Sequence, residues 1–155
     1  MKKLISLCLC TTLLLCLLPC VAFAEEDPTG QSTVVAVFED GSYCVTTIIQ
    51  EEVASSSRAS TQIKTGTKAK NYYNASGVLQ FTLIVRGTFS YDGSTATATK
   101  AQYGYSISQT AWTFVSARTT RNGATATAIG TFRQSGTYDR TLSVSLTCSP
   151  DGVLS

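Results

Sequence analysis

The chain has 155 residues, including six cysteines and no histidine, and its 12 basic and 10 acidic residues give a formal net charge of +2. Because histidine is absent, Ser-His and Cys-His catalytic pairs and histidine-ligated metal sites are excluded. The length suits one domain that can bury a core of its own.

The first 24 residues have the layout of a secretory signal peptide. The positive start Met1-Lys2-Lys3 precedes the apolar residues 4–21, and a small-x-small site ends at Ala24. We therefore predict cleavage between Ala24 and Glu25 and a secreted location, either extracellular or associated with the cell envelope. Two alternatives stay open, an uncleaved membrane anchor and a lipid anchor on Cys20.

Removal of the signal changes what is left for folding. Residues 25–32 are predicted to form a flexible polar lead-in, and residues 33–155 one β-sandwich domain. Lys2 and Lys3 leave with the signal, so ten basic residues face ten acidic ones in the mature protein. A neutral protein has no general electrostatic attraction to nucleic acid or to an anionic membrane, and neither is predicted as a partner.

Two cysteines, Cys44 and Cys148, belong to the mature chain. The other four lie within the signal, at Cys8, Cys10, Cys16 and Cys20. An even pair in an exported domain is more often a disulfide than a metal site or a nucleophile. We therefore predict a disulfide between Cys44 and Cys148. Closing so long a loop would stabilise the fold by about 4 to 5 kcal/mol on the chain-entropy model.

Strands alternate with turns from the start of the domain. Residues 33–38 and 43–51 are rich in β-branched side chains and flank an Asp40-Gly41 turn, which predicts two strands. Residues 52–60 contain a serine run with nothing to bury and predict a flexible loop.

Three lysines share one face of residues 61–71 if that segment is extended. They are Lys64, Lys68 and Lys70. A lysine stripe of this kind is typical of an edge strand that is guarded against pairing with another chain. A contact with a glycan or a phosphate is the second interpretation.

Residues 72–107 carry the strongest strand signal. From Leu79 every second residue is apolar or small, which predicts one buried face. The members of this face are Leu79, Phe81, Leu83, Val85, Gly87, Phe89 and Tyr91. With a two-residue Asp92-Gly93 turn, Lys100 would enter the core. A bulge after Ala98 instead brings Ala101, Tyr103, Tyr105 and Ile107 inward, and we prefer it.

A second hairpin is predicted around Asn122-Gly123, because both residues accept positive φ angles. In the two-residue register the core face carries Val115, Ala117, Ala124, Ala126, Ala128, Gly130 and Phe132. The opposite face carries Trp112, Phe114, Arg118, Ile129 and Arg133. Trp112 then lies directly opposite Arg133, which predicts a cation–π pair. We expect Trp112 to be partly exposed, and Trp112, Phe114, Arg118 and Arg133 to form a candidate binding surface.

Residues 140–148 predict the last strand, with Leu142, Val144 and Leu146 on one face and Cys148 at its end. About eight strands, frequent turn signals and no convincing helix predict an all-β fold. The expected architecture is an antiparallel β-sandwich or open barrel, immunoglobulin-like or jelly-roll-like.

Three segments carry a resemblance to a known family. They are Tyr72-Tyr73-Asn74-x-Ser76-Gly77, Gly87-Thr88-Phe89-Ser90-Tyr91-x-Gly93-Ser94 and Leu146-Thr147-Cys148-Ser149-Pro150-x-Gly152-x-Leu154-Ser155. On them the chain resembles small exported proteins of Gram-positive bacteria, chiefly clostridia, over roughly the last 85 residues. The resemblance implies export and an all-β domain and supplies no catalytic residue. Relatives often carry a Cys where this chain has Ala96-Thr97-Ala98, so its cysteine pairing can differ from theirs.

No sequence pattern names a reaction. Carboxylate catalysis needs two acids about 5 to 10 Å apart across a cleft, whereas Asp40, Asp92, Asp139 and Asp151 fall in predicted turns. No catalytic residue, metal or cofactor is predicted. We expect a secreted binding or interaction protein, with a cell-wall glycan or a protein as its partner. The alternatives are a secreted effector, such as a bacteriocin or an enzyme inhibitor, and less favourably a hydrolase.

Overall fold

The computed structural model describes residues 31–51 and 61–155. Eight strands make up the fold: β1 Gln31–Val37, β2 Tyr43–Glu51, β3 Gln62–Tyr73, β4 Leu79–Tyr91, β5 Ala96–Ile107, β6 Trp112–Asn122, β7 Thr125–Gln134 and β8 Asp139–Thr147. The predicted all-β fold of about eight strands is confirmed. The predicted signal, its cleavage site, Cys20 and the serine-rich loop lie outside the described residues.

The strands form two antiparallel sheets that pack face to face. One sheet has five strands in the order β1-β2-β3-β4-β5, and the other has three in the order β6-β7-β8. Each sheet is a meander in which neighbours in sequence are neighbours in space, and only the β5–β6 connection changes sheet. These connections differ from the Greek keys of the immunoglobulin-like and jelly-roll-like sandwiches that the sequence predicted.

The predicted buried face of β4 is confirmed. Phe81, Leu83, Val85 and Phe89 are all 0% exposed. The facing sheet contributes buried side chains from β7 and β8, namely Ala126, Ala128, Phe132, Leu142, Val144 and Leu146. Gly130 of β7 lets the sheets approach, because a Cβ atom there would lie 2.7 Å from Leu83 Cδ1.

The predicted bulge in β5 is also confirmed. Phe89 pairs with Ala98 and Thr88 pairs with Lys100, so Thr99 is the extra residue. Because a bulge exchanges the two faces of a strand beyond it, Lys100 is exposed to water. The pairings Gly87–Ala101, Val85–Tyr103, Leu83–Tyr105 and Phe81–Ile107 place those four β5 residues on the inner face. Ala101 and Ile107 are half-buried, whereas Tyr103 and Tyr105 are each 45% exposed on this last strand of the sheet.

The turn before this bulge is longer than two residues. Tyr91 pairs with Ala96, and the Asp92 Oδ1 atom accepts hydrogen bonds from the backbone N–H groups of Ser94 and Thr95, at 2.9 and 2.7 Å. Asp92 therefore shapes a four-residue turn by bonding to the backbone that follows it.

The prediction that the lysine-bearing segment is an edge strand is wrong. β3 lies between β2 and β4. Two of its lysines instead donate hydrogen bonds to the other half of the sandwich. Lys70 Nζ donates to the Ser143 carbonyl of β8 at 2.7 Å. Lys64 Nζ donates to the Gly152 carbonyl, in the segment after β8, at 2.8 Å. Because β8 ends its sheet, Lys70 covers the free edge of a different strand.

The predicted disulfide is absent, since Cys44 and Cys148 are both buried free thiols. Cys44 pairs with Tyr72 of β3, whereas Cys148 pairs with Leu154, whose side chain packs over Gly66 of β3. The six-residue separation of Tyr72 and Gly66 corresponds to about 20 Å along a strand. A disulfide needs Cα atoms within about 7 Å, so the fold keeps the two thiols apart.

Candidate functional site

The β6–β7 hairpin has a different turn from the predicted one. Asn122 pairs with Thr125, so the turn residues are Gly123 and Ala124. Gly123 has a φ angle of 54°, which glycine adopts without strain. The β7 core positions are buried as predicted, at Ala126, Ala128, Gly130 and Phe132.

A bulge at Val115 corrects the predicted faces of β6. Phe114 pairs with Phe132 and Ser116 pairs with Thr131, so Val115 is the extra residue. Val115 is 43% exposed, although the regular register placed it in the core. Beyond the bulge every side chain changes face, which turns the start of β6 toward the core.

Trp112 is the residue that the bulge affects most. It is 4% exposed and lies opposite Gln134, so its predicted partial exposure and its predicted pairing with Arg133 are both wrong. The indole Nε1 atom donates to Gln80 Oε1 at 3.1 Å. This hydrogen bond satisfies the only polar atom of the buried indole.

The other predicted surface residues are separated by the same change. Phe114 is half-buried and stacks on Tyr105, with ring centroids 4.0 Å apart. Arg133 is exposed and binds Asp139 through Nε–Oδ1 and Nη2–Oδ2 contacts of 2.7 and 2.8 Å. Arg118 is also exposed and lies opposite Ile129 on the outer face of the three-stranded sheet. The four residues therefore do not form one surface.

A pocket of about 290 Å³ lies at one end of the sandwich, where the β1–β2, β3–β4 and β7–β8 turns meet. Tyr72 and Trp112 are 2% and 4% exposed and form its base, and Tyr138 stands at its rim with 37% exposure. Its polar lining residues are Asp40, Ser42, Asn74, Ser76, Gln80 and Gln134. We call this the end pocket.

Side chains lock two of the turns that surround the end pocket. The Asp40 Oδ1 atom accepts hydrogen bonds from the backbone N–H and the hydroxyl of Ser42, at 3.0 and 2.5 Å. The Asn74 Oδ1 atom likewise accepts from the backbone N–H groups of Ser76 and Val78, at 3.1 and 2.8 Å. Asp and Asn favour such turns because their short side chains reach the backbone just ahead of them.

A hydrogen-bond chain runs from the base of the end pocket to its rim. The Tyr72 hydroxyl donates to Ser42 Oγ at 2.9 Å, and Ser42 Oγ donates to Asp40. The second oxygen of Asp40 accepts from Arg140 Nη2 at 3.0 Å. Hydrogen bonds from Ser42 and then the charge of Arg140 hold the pKa of Asp40 below its ordinary value. Burial raises the pKa of the Tyr72 hydroxyl.

Arg140 is held by aromatic rings behind Asp40. Its Cζ atom lies 4.3, 5.0 and 5.3 Å from the ring centroids of Phe38, Tyr138 and Tyr72. Such contacts stabilise a guanidinium that is partly removed from water. Because Arg140 and Asp40 form an ion pair, their charges compensate and the end pocket is close to neutral.

The end pocket has one carboxylate, Asp40, among its lining residues. Within the described ranges no three or more His, Cys, Asp or Glu side chains are grouped so that they could hold a metal ion. The same ranges contain no helix long and apolar enough to cross a bilayer. The side chains that line the end pocket can form hydrogen bonds and aromatic ring contacts with a ligand.

The sequence predicted Trp112 as part of a binding surface, but on the outer face of its strand, and predicted Asp40 as a turn residue. The strand order explains why two of the turns lie together, because alternate turns of an antiparallel meander lie at the same end of a sheet. In the meander of the five-stranded sheet, the polar turns at 38–42 and 74–78 are therefore neighbours. That the 134–138 turn of the second sheet joins them, with Trp112 beneath, depends on how the two sheets stack.

Comparisons of the chain with protein-family models, with curated proteins and with solved structures found no match. The geometry of the end pocket is therefore the basis for a proposed function.

Proposed function

We propose that this chain is an exported extracellular or cell-envelope protein that binds a small neutral polar ligand in the end pocket. A sugar unit of a cell-wall glycan is the ligand class that fits best. The observation that carries the proposal is the combination of a buried aromatic base with polar side chains from three turns around it. Ligand sites commonly combine apolar walls with a few polar groups that set orientation.

The size and charge of the end pocket support a single-ring ligand without charge. A volume of about 290 Å³ lies just below the range of about 300 to 1,000 Å³ for small-molecule sites. Asp40 and Arg140 neutralise each other. Gln134 and Ser76 line the pocket and can donate to or accept from sugar hydroxyl groups.

The test is binding of the purified protein to arrayed glycans and to peptidoglycan fractions. Gln134→Ala is expected to weaken binding by about fivefold, the effect of losing one hydrogen bond of about 1 kcal/mol. The matched control is Gln102→Ala, which removes the same side chain from an exposed position of β5.

Two results would contradict the proposal. One is a wild-type protein that no glycan or envelope fraction retains, and the other is equal weakening in Gln134→Ala and Gln102→Ala. Inhibition of bacterial growth by a protein that binds no glycan would favour the secreted-effector alternative instead.

A further inference from the structure

The inner face of β3 carries three lysines, at positions 64, 68 and 70. Lys64 and Lys70 donate to the carbonyl groups of Gly152 and Ser143. Lys68 lies between them and has no hydrogen-bond or ion-pair partner among the described residues. Two of the lysines therefore have a structural role that the third lacks.

Lys68 is half-buried beside the hydrophobic core. It pairs with Val85 of β4, which is 0% exposed, and with Ile48 of β2. Burial, and then the like charge of Lys70, lowers the pKa of its ammonium group. A charge that is partly removed from water is unfavourable unless a counter-charge or hydrogen-bond acceptors compensate for it.

The outer edge of β8, which pairs with no other strand among the described residues, borders the same region. Thr147 exchanges two backbone hydrogen bonds of 3.0 Å with Ser155, so its N–H and C=O groups point away from β7. The Ser143 carbonyl points the same way, toward Lys70. Because backbone groups alternate along a strand, Ser145 between them also directs both its N–H and its C=O to this edge. Lys68 lies between Lys64 and Lys70 on β3, and Ser145 lies between their two acceptors Gly152 and Ser143, so the edge offers a neutral N–H donor beside a C=O acceptor at this level of the sandwich.

We propose that the space between Lys68 and the β8 edge, which we call the Lys68 slot, binds one oxyanion, a carboxylate or a phosphate group. The Lys68 ammonium supplies the counter-charge and the Ser145 N–H a neutral donor. Lys64 and Lys70 stand about 13 and 7 Å away along β3 and add a favourable field. This site is separate from the end pocket and does not depend on the function proposed for it.

The experiment is an NMR titration of the isotope-labelled protein with sodium phosphate, and separately with sodium acetate, at constant ionic strength. We expect saturable shifts of the Lys68 and Ser145 amide signals. Lys68→Gln is expected to weaken binding by at least about tenfold, since it removes the direct charge contact. Lys68→Arg keeps the charge and is expected to retain binding.

The control is Lys100→Gln, an exposed lysine on the outer face of β5, which is expected to bind like the wild type. A response to phosphate alone assigns the site to phosphate groups, and a response to both anions shows that a carboxylate suffices. Non-saturating shifts, or equal shifts in wild type and Lys68→Gln, would overturn the proposal. Dimerisation of Lys68→Gln without any anion response in the wild type would also overturn it, because Lys68 would then only guard the β8 edge.

Gln134→Ala is expected to leave the anion titration unchanged, because Gln134 belongs to the end pocket. Failure of the glycan experiment and failure of the anion experiment are therefore distinguishable.

Discussion

At the scale of single residues, polar side chains at turns and ends have the clearest local roles. Asp40, Asn74 and Asp92 each accept hydrogen bonds from backbone N–H groups a few residues ahead. Their side chains therefore fix the turns that they occupy. Asp40 has a second role, because its other oxygen binds Arg140.

Asp40→Asn is expected to lower the melting temperature near neutral pH. The pKa of Asp40 is depressed in the folded state, first by Ser42. Its contribution is therefore present above the unfolded pKa of an aspartate and is lost as pH falls through the lower folded pKa. Melting curves of wild type and Asp40→Asn should converge in acid. In a Ser42→Ala background the difference at neutral pH should shrink, and an unchanged difference would contradict this account.

The two buried cysteines give a second prediction at this scale. Alkylation of the unfolded protein without reductant should modify both Cys44 and Cys148, as read by mass spectrometry of their peptides. In the folded protein both should react slowly, because burial raises the pKa of each thiol. A Cys44–Cys148 peptide linked by a disulfide would refute the structure at this point.

At the scale of strands, bulges decide which residues form the core. The bulge at Thr99 could be predicted because the regular register would bury the charge of Lys100. The bulge at Val115 was not predicted, because the regular register placed an apolar Val115 inward and the outward Trp112 and Phe114 were interpreted as a binding surface. A bulge can be predicted from a sequence where the regular register would bury a charge.

The substitution Val115→Lys distinguishes the bulged register of β6 from the regular register that the sequence predicts. Because Val115 is 43% exposed, the substitution is expected to change the free energy of unfolding by no more than about 0.5 kcal/mol. Val144→Lys is the matched control at a position that is 3% exposed, and it should prevent folding or lower stability severely. Urea denaturation measures both, and a comparable loss in both variants would favour the register without the bulge.

The lysines of β3 show why a residue pattern does not fix the place of a strand in its sheet. The three lysines predict that β3 is an edge strand, yet β3 has a neighbouring strand on each side. Lys70 instead donates a hydrogen bond to the Ser143 carbonyl of β8, a strand of the other sheet. Long lysine side chains can protect an edge from across the sandwich.

At the scale of the whole molecule, small residues set the distance between the sheets. A Cβ atom on Gly130 would meet Leu83 Cδ1 at 2.7 Å, closer than real side chains approach. Gly130→Ala therefore has to push Leu83 aside or separate the sheets.

We expect Gly130→Ala to lower the free energy of unfolding by about 1 to 3 kcal/mol, the usual cost of overpacking a core. Gly104→Ala is the matched control, because its Cβ would meet Ile84 at an ordinary 3.6 Å. Chemical denaturation compares the two variants. Equal effects would mean that the close packing of the sheets at Gly130 does not limit stability.

The sequence by itself determined the strands, most of their inner faces and the places of the turns between them, because these depend on residues close together in the chain. Alternation from Leu79 to Tyr91 specified the buried face of β4, and the cost of burying Lys100 specified one bulge. The tertiary structure alone decided the neighbours of β3, the inward turn of Trp112 and the separation of Cys44 from Cys148. The neighbours of β3 depend on the order of strands within one sheet, and the other two features depend on how one sheet stacks on the other. Both join residues whose distance in the sequence carries no local signal. The end pocket belongs to this second group, since its base and its rim come from both sheets.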